Sequence, residues 1–276
     1  MNLIVQGLEV YTHDLKEIAK LARATGIERI EDEAFRLRDA QPAAEIAPYC
    51  EAARLDHAFV PQGARLDDFR LVVLDMDSTL ITIECIDEVA DLAGRKAEVA
   101  PVTAAAMRGE IDFVESPTRR VAALAGLPET ALERVYRERL RLTLGAEKLL
   151  AALRSRGART LLVSGGFTYF TDRLRERLGL DDASGTQLEI VDRKLTGRVV
   201  GEIVDAEVKA RALRGMRDAL GLEPRQVLAL GDGANDLAFM AEAGVSVAFH
   251  AKPVVKAHAT YALDFVGLDG IVNLFA

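Results

Sequence analysis

Four short apolar runs constrain this chain more than any other feature. LVVLD (71–75), TLLVS (160–164) and VLALG (227–231) each end at polar residues or glycine, and VSVAF (245–249) is a fourth run of the same length. Continuous apolar runs this short, with no alternation, fit strands buried on both faces of a parallel sheet. Helical spacing fills the stretches between them: Leu149, Leu150 and Leu153 in 146–156, Phe170, Leu174 and Leu178 in 168–178, and Leu213, Met216 and Leu220 in 207–220. Strands alternating with helices of that length predict an α/β fold with a doubly wound parallel sheet. Such sheets bind ligands at the carboxyl ends of their strands, where the polar residues of this chain stand.

Three segments fall outside the alternation. Residues 82–145 carry helical patterns, such as Ile86, Val89, Ala90 and Leu92 in 84–93, over a length that exceeds an ordinary βα connection, and predict an inserted helical cap. Residues 186–204 predict a small β-hairpin with its polar turn at Arg193-Lys194. Residues 1–60 predict strand 3–6, helix 13–24, strands near 28–31 and 34–38, helix 43–53 and strand 57–60, a βαββαβ order that fits a ferredoxin-like domain. The polar stretch 61–70 then links it to a main domain over 71–276. With 276 residues, half of them hydrophobic, the chain has material for one or two domains with a sizeable core. A net charge of −8 argues against a nucleic-acid or anionic-membrane partner. Two cysteines, Cys50 and Cys85, exclude a disulfide-dense scaffold. No apolar run approaches the ~18 residues of a membrane span, and the start lacks a signal-peptide pattern, so a cytoplasmic protein is expected.

The chemistry gathers at strand ends. Asp75-Met76-Asp77-Ser78-Thr79 follows the first core strand. Two carboxylates two residues apart can face one cavity, one as nucleophile and one as proton donor, although for a DxD alone solvated acids on an ordinary turn are much the commoner case. Ser164-Gly165-Gly166 follows the second strand and opens a helix, either an anion site or a plain glycine turn. Lys209 stands near the start of a helix, as a cation for a site or as a surface lysine. Gly231-Asp232-Gly233-Ala234-Asn235-Asp236 follows a further strand; its carboxylates suit a hard, oxygen-liganded cation, and an Asn-capped helix is the alternative. His13, His57, His250 and His258 have no zinc-type spacing, and neither GxGxxG after the first strand nor GxxxxGK[ST] occurs.

Taken in order, DxDST, SGG, a lysine and GDGxND, each in its strand context, resemble the phosphatases of the haloacid dehalogenase superfamily over residues 71 to about 270. That resemblance implies a Rossmann-like core with an inserted cap. The flanking segments DMDSTLITIECIDEVA (75–90), MRGEIDFVES (107–116) and RRVAAL (119–124) narrow it to the branch acting on O-phospho-L-serine. By resemblance, Asp75 is the nucleophile that forms an aspartyl-phosphate, Asp77 the acid and base, and Lys209 a catalytic cation beside the phosphoryl group. Asp75 and Asp232, with the backbone carbonyl of Asp77, would hold Mg²⁺, and Asp236 would orient a water or Lys209. Ser164, Gly165, Gly166 and Asn235 would bind phosphate oxygens, Glu84 the substrate ammonium, Arg120 its carboxylate, and Met107 and Phe113 would line the cap. One departure is Pro117-Thr118, where the family has Leu and a basic residue; either a helix starts at Pro117 or the cap bends ahead of Arg120.

The expected function is therefore Mg²⁺-dependent hydrolysis of a small phosphomonoester, phosphoserine, as the last step of L-serine biosynthesis. Transfer of the phosphoryl group to an acceptor alcohol such as homoserine, or action on another small phosphomonoester, are the alternatives. The βαββαβ segment also resembles ACT-like modules, which implies an amino-acid ligand or a homodimer interface; a stability module without a ligand is the alternative.

Overall fold

A computed structural model describes residues 1–97, 99, 104 and 115–276. The chain opens with β1 (Asn2–Gly7), β2 (Gly26–Glu31), β3 (Ala34–Arg38) and β4 (Leu55–Val60), which form an antiparallel sheet in the order β2-β3-β1-β4. Helix Thr12–Leu21 follows β1 and helix Ile46–Ala52 precedes β4. Because side chains alternate across a strand, β1 serves two cores. Leu3 and Val5 pack with Leu15, Ile18 and Ile46 inside this module, whereas Ile4 joins Ala58 and Val60 in the main core.

The second sheet has seven strands, in the order β11 (Tyr261–Leu263), β10 (Val245–Phe249), β9 (Val227–Gly231), β5 (Leu71–Leu74), β6 (Arg159–Phe167), β7 (Asp182–Val191) and β8 (Lys194–Val200). Its centre is β5, β6, β9 and β10, all parallel. All four residues of β5 are fully buried; Val72 and Leu74 face one apolar layer, Leu71 and Val73 the other. This two-sided burial is why the sequence shows runs rather than alternation. Helices Ala146–Ser155 and Thr168–Leu178 bury Leu149, Leu153, Phe170 and Leu174 on the first side, and helix Ala206–Ala219 buries Ala210 and Leu213 on the second. Parallel β11 (Tyr261–Leu263) closes one edge.

At the other edge β7 (Asp182–Val191) pairs first with β6 in parallel and then with β8 (Lys194–Val200) as an antiparallel hairpin. The hairpin turn is Asp192-Arg193, not Arg193-Lys194; both residues adopt left-handed φ, 49° and 59°, as a two-residue hairpin turn requires. Between β5 and β6 the described residues are largely helical, with helices Cys85–Leu92, Glu115–Ala122 and Thr130–Arg134. Pro117 falls in the first turn of Glu115–Ala122, where a missing N–H costs little. The helix therefore starts at Glu115 rather than at Pro117, and carries Arg120 in the same run.

The connector 61–70 is not slack. Leu66 and Phe69 are buried, Leu66 N donates to Phe275 O at 3.1 Å, and the Phe69 and Phe275 rings meet edge-on at 4.9 Å. Three residues apart on a short 3₁₀ turn, they hid among polar neighbours. Among the described residues no helix is long and apolar enough to cross a membrane.

Candidate active site

Asp75 follows β5 directly, and Ser78, three residues on, takes a left-handed φ of 58°. Two contacts hold the turn: Ser78 Oγ donates to Glu84 Oε1 (2.8 Å), and the Cys85 amide donates to Asp77 Oδ1 (3.2 Å). The end of β6 bulges: Val163 pairs with Ser184 and Phe167 with Thr186, so Ser164, Gly165 and Gly166 leave the ladder together. The helix begins only at Thr168. The sequence predicts that Ser164-Gly165-Gly166 opens a helix; it is instead the bulged end of a strand, with the helix starting after it. Gly166 leaves room for its neighbours, since a Cβ there would stand 2.7 Å from the Met76 methyl and 2.9 Å from Asp77 Oδ2 and would have to displace those side-chain ends.

Lys209 is no surface lysine. It is 1% exposed, and its Nζ lies 2.5 Å from Asp75 Oδ1 and 2.8 Å from Asp236 Oδ1. The N-cap Asp205, whose carboxylate accepts from Val208 N at 2.9 Å, fixes the start of its helix. Asp236 Oδ2 accepts the amides of Asp232 and Gly233, both at 3.0 Å. Gly231 makes room for that carboxylate, since a Cβ would lie 2.5 Å from Asp236 Oδ2. Asp75, Asp77, Glu84, Arg120, Ser164, Gly165, Gly166 and Asn235 line one cavity. Met107 and Phe113 lie outside the described residues. Ile86, Val121, Phe167 and Thr186 also line the cavity without having been expected. Thr186 sits across from the bulge, a register partner that no local pattern reveals.

Burial dominates the electrostatics. It pushes Asp77 well above the ordinary carboxylate range, and the charges of Glu84 and Asp75 push further. It raises Asp75 as well, against the pull of Lys209. Glu84 rises through burial, opposed by its Ser78 hydrogen bond and by Arg120. For Lys209, burial disfavours the charge, but Asp236 and Asp75 more than offset it, so the ammonium stays protonated. Burial also lowers Arg120 while Glu84 supports its charge. It raises the Cys85 thiol well above its usual value, with Asp77 adding to the effect, which removes Cys85 as a nucleophile.

Five carboxyl groups thus surround two cationic side chains, and this donor set fits a hard divalent cation. One carboxylate oxygen from each of Asp75, Asp232 and Asp236 lies within 4.8 Å of the other two. Both oxygens of Asp236 are occupied, one by Lys209 and one by two amides. Asp75 and Asp232 are the remaining donors, and all are oxygen, the ligand type that Mg²⁺ prefers. Burial and the charges of Asp236 and Asp75 raise Asp232 well above its usual value, a repulsion that a bound cation would relieve.

The chain matches haloacid dehalogenase-like hydrolases over residues 72–241. It is 54% identical to a phosphoserine phosphatase from Polaromonas sp. over 215 residues, 76% of this chain and 91% of that protein. The chain belongs to the phosphoserine phosphatase family of haloacid dehalogenase-like hydrolases. Among solved members of this family, a probable phosphoserine phosphatase from Vibrio cholerae in unliganded form is 41% identical, with a TM-score of 0.85 covering 99% of this chain and 86% of that one. A phospho-aspartyl intermediate analogue of phosphoserine phosphatase is 36% identical, with a TM-score of 0.72 covering 75% of this chain and 99% of that one. Residues 3–46 of this hydrolase also match a domain of unknown function.

Proposed function

We propose that this chain hydrolyses O-phospho-L-serine to L-serine and phosphate through an aspartyl-phosphate on Asp75. One observation carries the reading: a single cavity holds the Asp75–Asp77 pair together with Glu84 and Arg120. Its first half is chemistry for a phosphoryl group, and its second half is an acid and a base matched to the ammonium and carboxylate of an amino acid. Asp75 attacks phosphorus while Lys209, held against it, stabilises charge on the phosphoryl oxygens. Burial favours the protonated form of Asp77, which suits it to donate to the departing serine oxygen and then accept the proton of the attacking water. Ser164, whose Oγ accepts from the Gly166 amide at 2.9 Å, the Gly165 amide and Asn235 bind phosphate oxygens, and Asp236 fixes Lys209. Asp75, Asp232 and the Asp77 carbonyl would hold Mg²⁺, which when bound would screen the phosphate charge from the attacking carboxylate. The phospho-aspartyl analogue among the relatives supports this course. On this reading the reaction is the last step of L-serine biosynthesis, and the N-terminal module is an ACT-like element that buttresses the hydrolase.

The decisive test compares phosphoserine with phosphoethanolamine, which lacks only the carboxylate. Leaving Arg120 without that partner in a closed site costs about 2–5 kcal/mol, or roughly 30- to 5,000-fold in kcat/KM. Arg120→Ala should narrow the gap. Equal hydrolysis of both esters by the wild type would remove the serine assignment and leave the phosphatase chemistry. Removal of divalent cations by a chelator should abolish turnover, and Mg²⁺ should restore it. Ca²⁺ should restore little, because it takes 6–8 oxygens and would engage the Asp75 oxygen needed for attack; equal rates with the two ions would count against the cation assignment.

A further inference from the structure

Asp232 and Asp236 are held by different kinds of partner. Asp236 spends its charge on Lys209 and two amides. Asp232 receives one neutral hydroxyl: Thr79 Oγ1 donates to its Oδ1 at 3.1 Å. Thr79 is itself fully buried, and its carbonyl accepts from the Thr143 hydroxyl at 2.7 Å. Thr143 stands where the helical insertion returns to the core. There the outgoing and returning segments run antiparallel, with Thr143 N donating to Leu80 O and Thr82 N to Arg141 O, both at 3.0 Å, around an Ile81–Leu142 bridge. The next residue is tied down from the far side, Leu268 N donating to Leu144 O at 2.7 Å.

We propose that Thr79 and Thr143 are positioning residues for the divalent cation: Thr79 orients the Asp232 carboxylate, and Thr143 fixes the peptide that carries Thr79. This rests on reading Asp75 and Asp232 as the cation's ligands. A carboxylate crowded by Asp75 and Asp236 gains by turning away from them, and a hydrogen bond from a fixed hydroxyl opposes that rotation. The donor has to be neutral. A lysine or arginine in place of Thr79 would hold Asp232 as firmly but would cancel the charge that attracts the cation, as Lys209 does for Asp236. Outer-shell partners of this sort orient metal ligands and tune affinity. Thr143 adds a link to the insertion: a shift of its return segment moves the Thr79 carbonyl, and with it the ligand.

The test is titration of Mn²⁺ into the substrate-free full chain by calorimetry, with a thermal melt of each variant. Thr79→Val should weaken Mn²⁺ binding about 10- to 100-fold. Thr143→Val, one hydrogen bond further out, should weaken it roughly 2- to 10-fold. Thr79→Ser and Thr143→Ser, which keep the hydroxyl, should bind nearly as the wild type does, whatever their melting temperatures. Asp232→Asn should lose measurable binding. If Asp232→Asn loses the ion while both valine variants bind it like the wild type, the relay falls and the cation site stands. Serine variants as weak as the valine ones would make the effect one of packing and overturn the proposal. Wild-type affinity in Asp232→Asn would overturn the cation reading, and the relay with it.

Discussion

Asp75→Asn should lose at least about 10⁴-fold in turnover of phosphoserine, the scale on which enzymes fall when a covalent nucleophile is removed, and should fold as well as the wild type. Asparagine keeps the shape of the side chain but cannot attack phosphorus. The stability half of the expectation follows from the charge balance. Burial raises the pKa of Asp75, so its ionised form is disfavoured in the folded protein, and a neutral isostere removes that penalty. In metal-free buffer the variant should therefore melt no lower than the wild type. Phosphate release measured over hours, with a melting curve on the same sample, checks both halves. Turnover within tenfold of wild type would take Asp75 out of the nucleophile role.

Lys209→Met should fail in the opposite way, losing both stability and activity. The ammonium is the shared partner of Asp75 and Asp236, which are 3% and 0% exposed. Removing one member of a buried ion pair costs about 3–5 kcal/mol, because the other charge is left unpaired. For a chain of this size that is a fall of roughly 6–20 °C in melting temperature. Loss of a charge-stabilising donor should lower kcat by a further 10²- to 10³-fold, on the order seen for oxyanion donors. The double variant Asp75→Asn/Lys209→Met should regain part of the stability, since the two side chains share one interaction. Additive losses in the double variant would mean that the contact contributes nothing to the fold.

Much of the fold could be read from the sequence because buried parallel strands announce themselves as uninterrupted apolar runs. Of the candidate residues singled out beside those runs, Asp75 and Asp232 stand directly after β5 and β9, and Ser164 stands within the irregular end of β6. What escaped has physical causes. The start of β7, Asp182–Ser184, pairs with β6 although it carries no large apolar side chain, because only tertiary pairing makes it a strand. β11 has three residues, too few for any period to show. The turn at Asp192-Arg193 uses left-handed φ without glycine, so the usual turn signal is missing. The reach of Arg120 depended on where a helix starts around Pro117, which is set by packing. Thr79 lay in plain view within the DxDST motif, but its hydrogen bond to Asp232 spans 153 positions. His250 has a left-handed φ of 47°, and its Nε2 sits 2.9 Å from Val266 O.

Ile4, Ala58 and Val60 belong to the same apolar cluster as the central strands, and the buried Asp56 carboxylate accepts the amides of Asp264, Phe265 and Val266 at 2.6, 3.0 and 3.0 Å. The seam between the first sixty residues and the rest is therefore built like the interior of one protein rather than a joint between two. A nick in the connector would leave both pieces clasped, and neither piece could leave without baring an oily face to water. The two parts are expected to melt together, in one cooperative transition. The first part is thus bound to the second as a folding partner, whatever else it does.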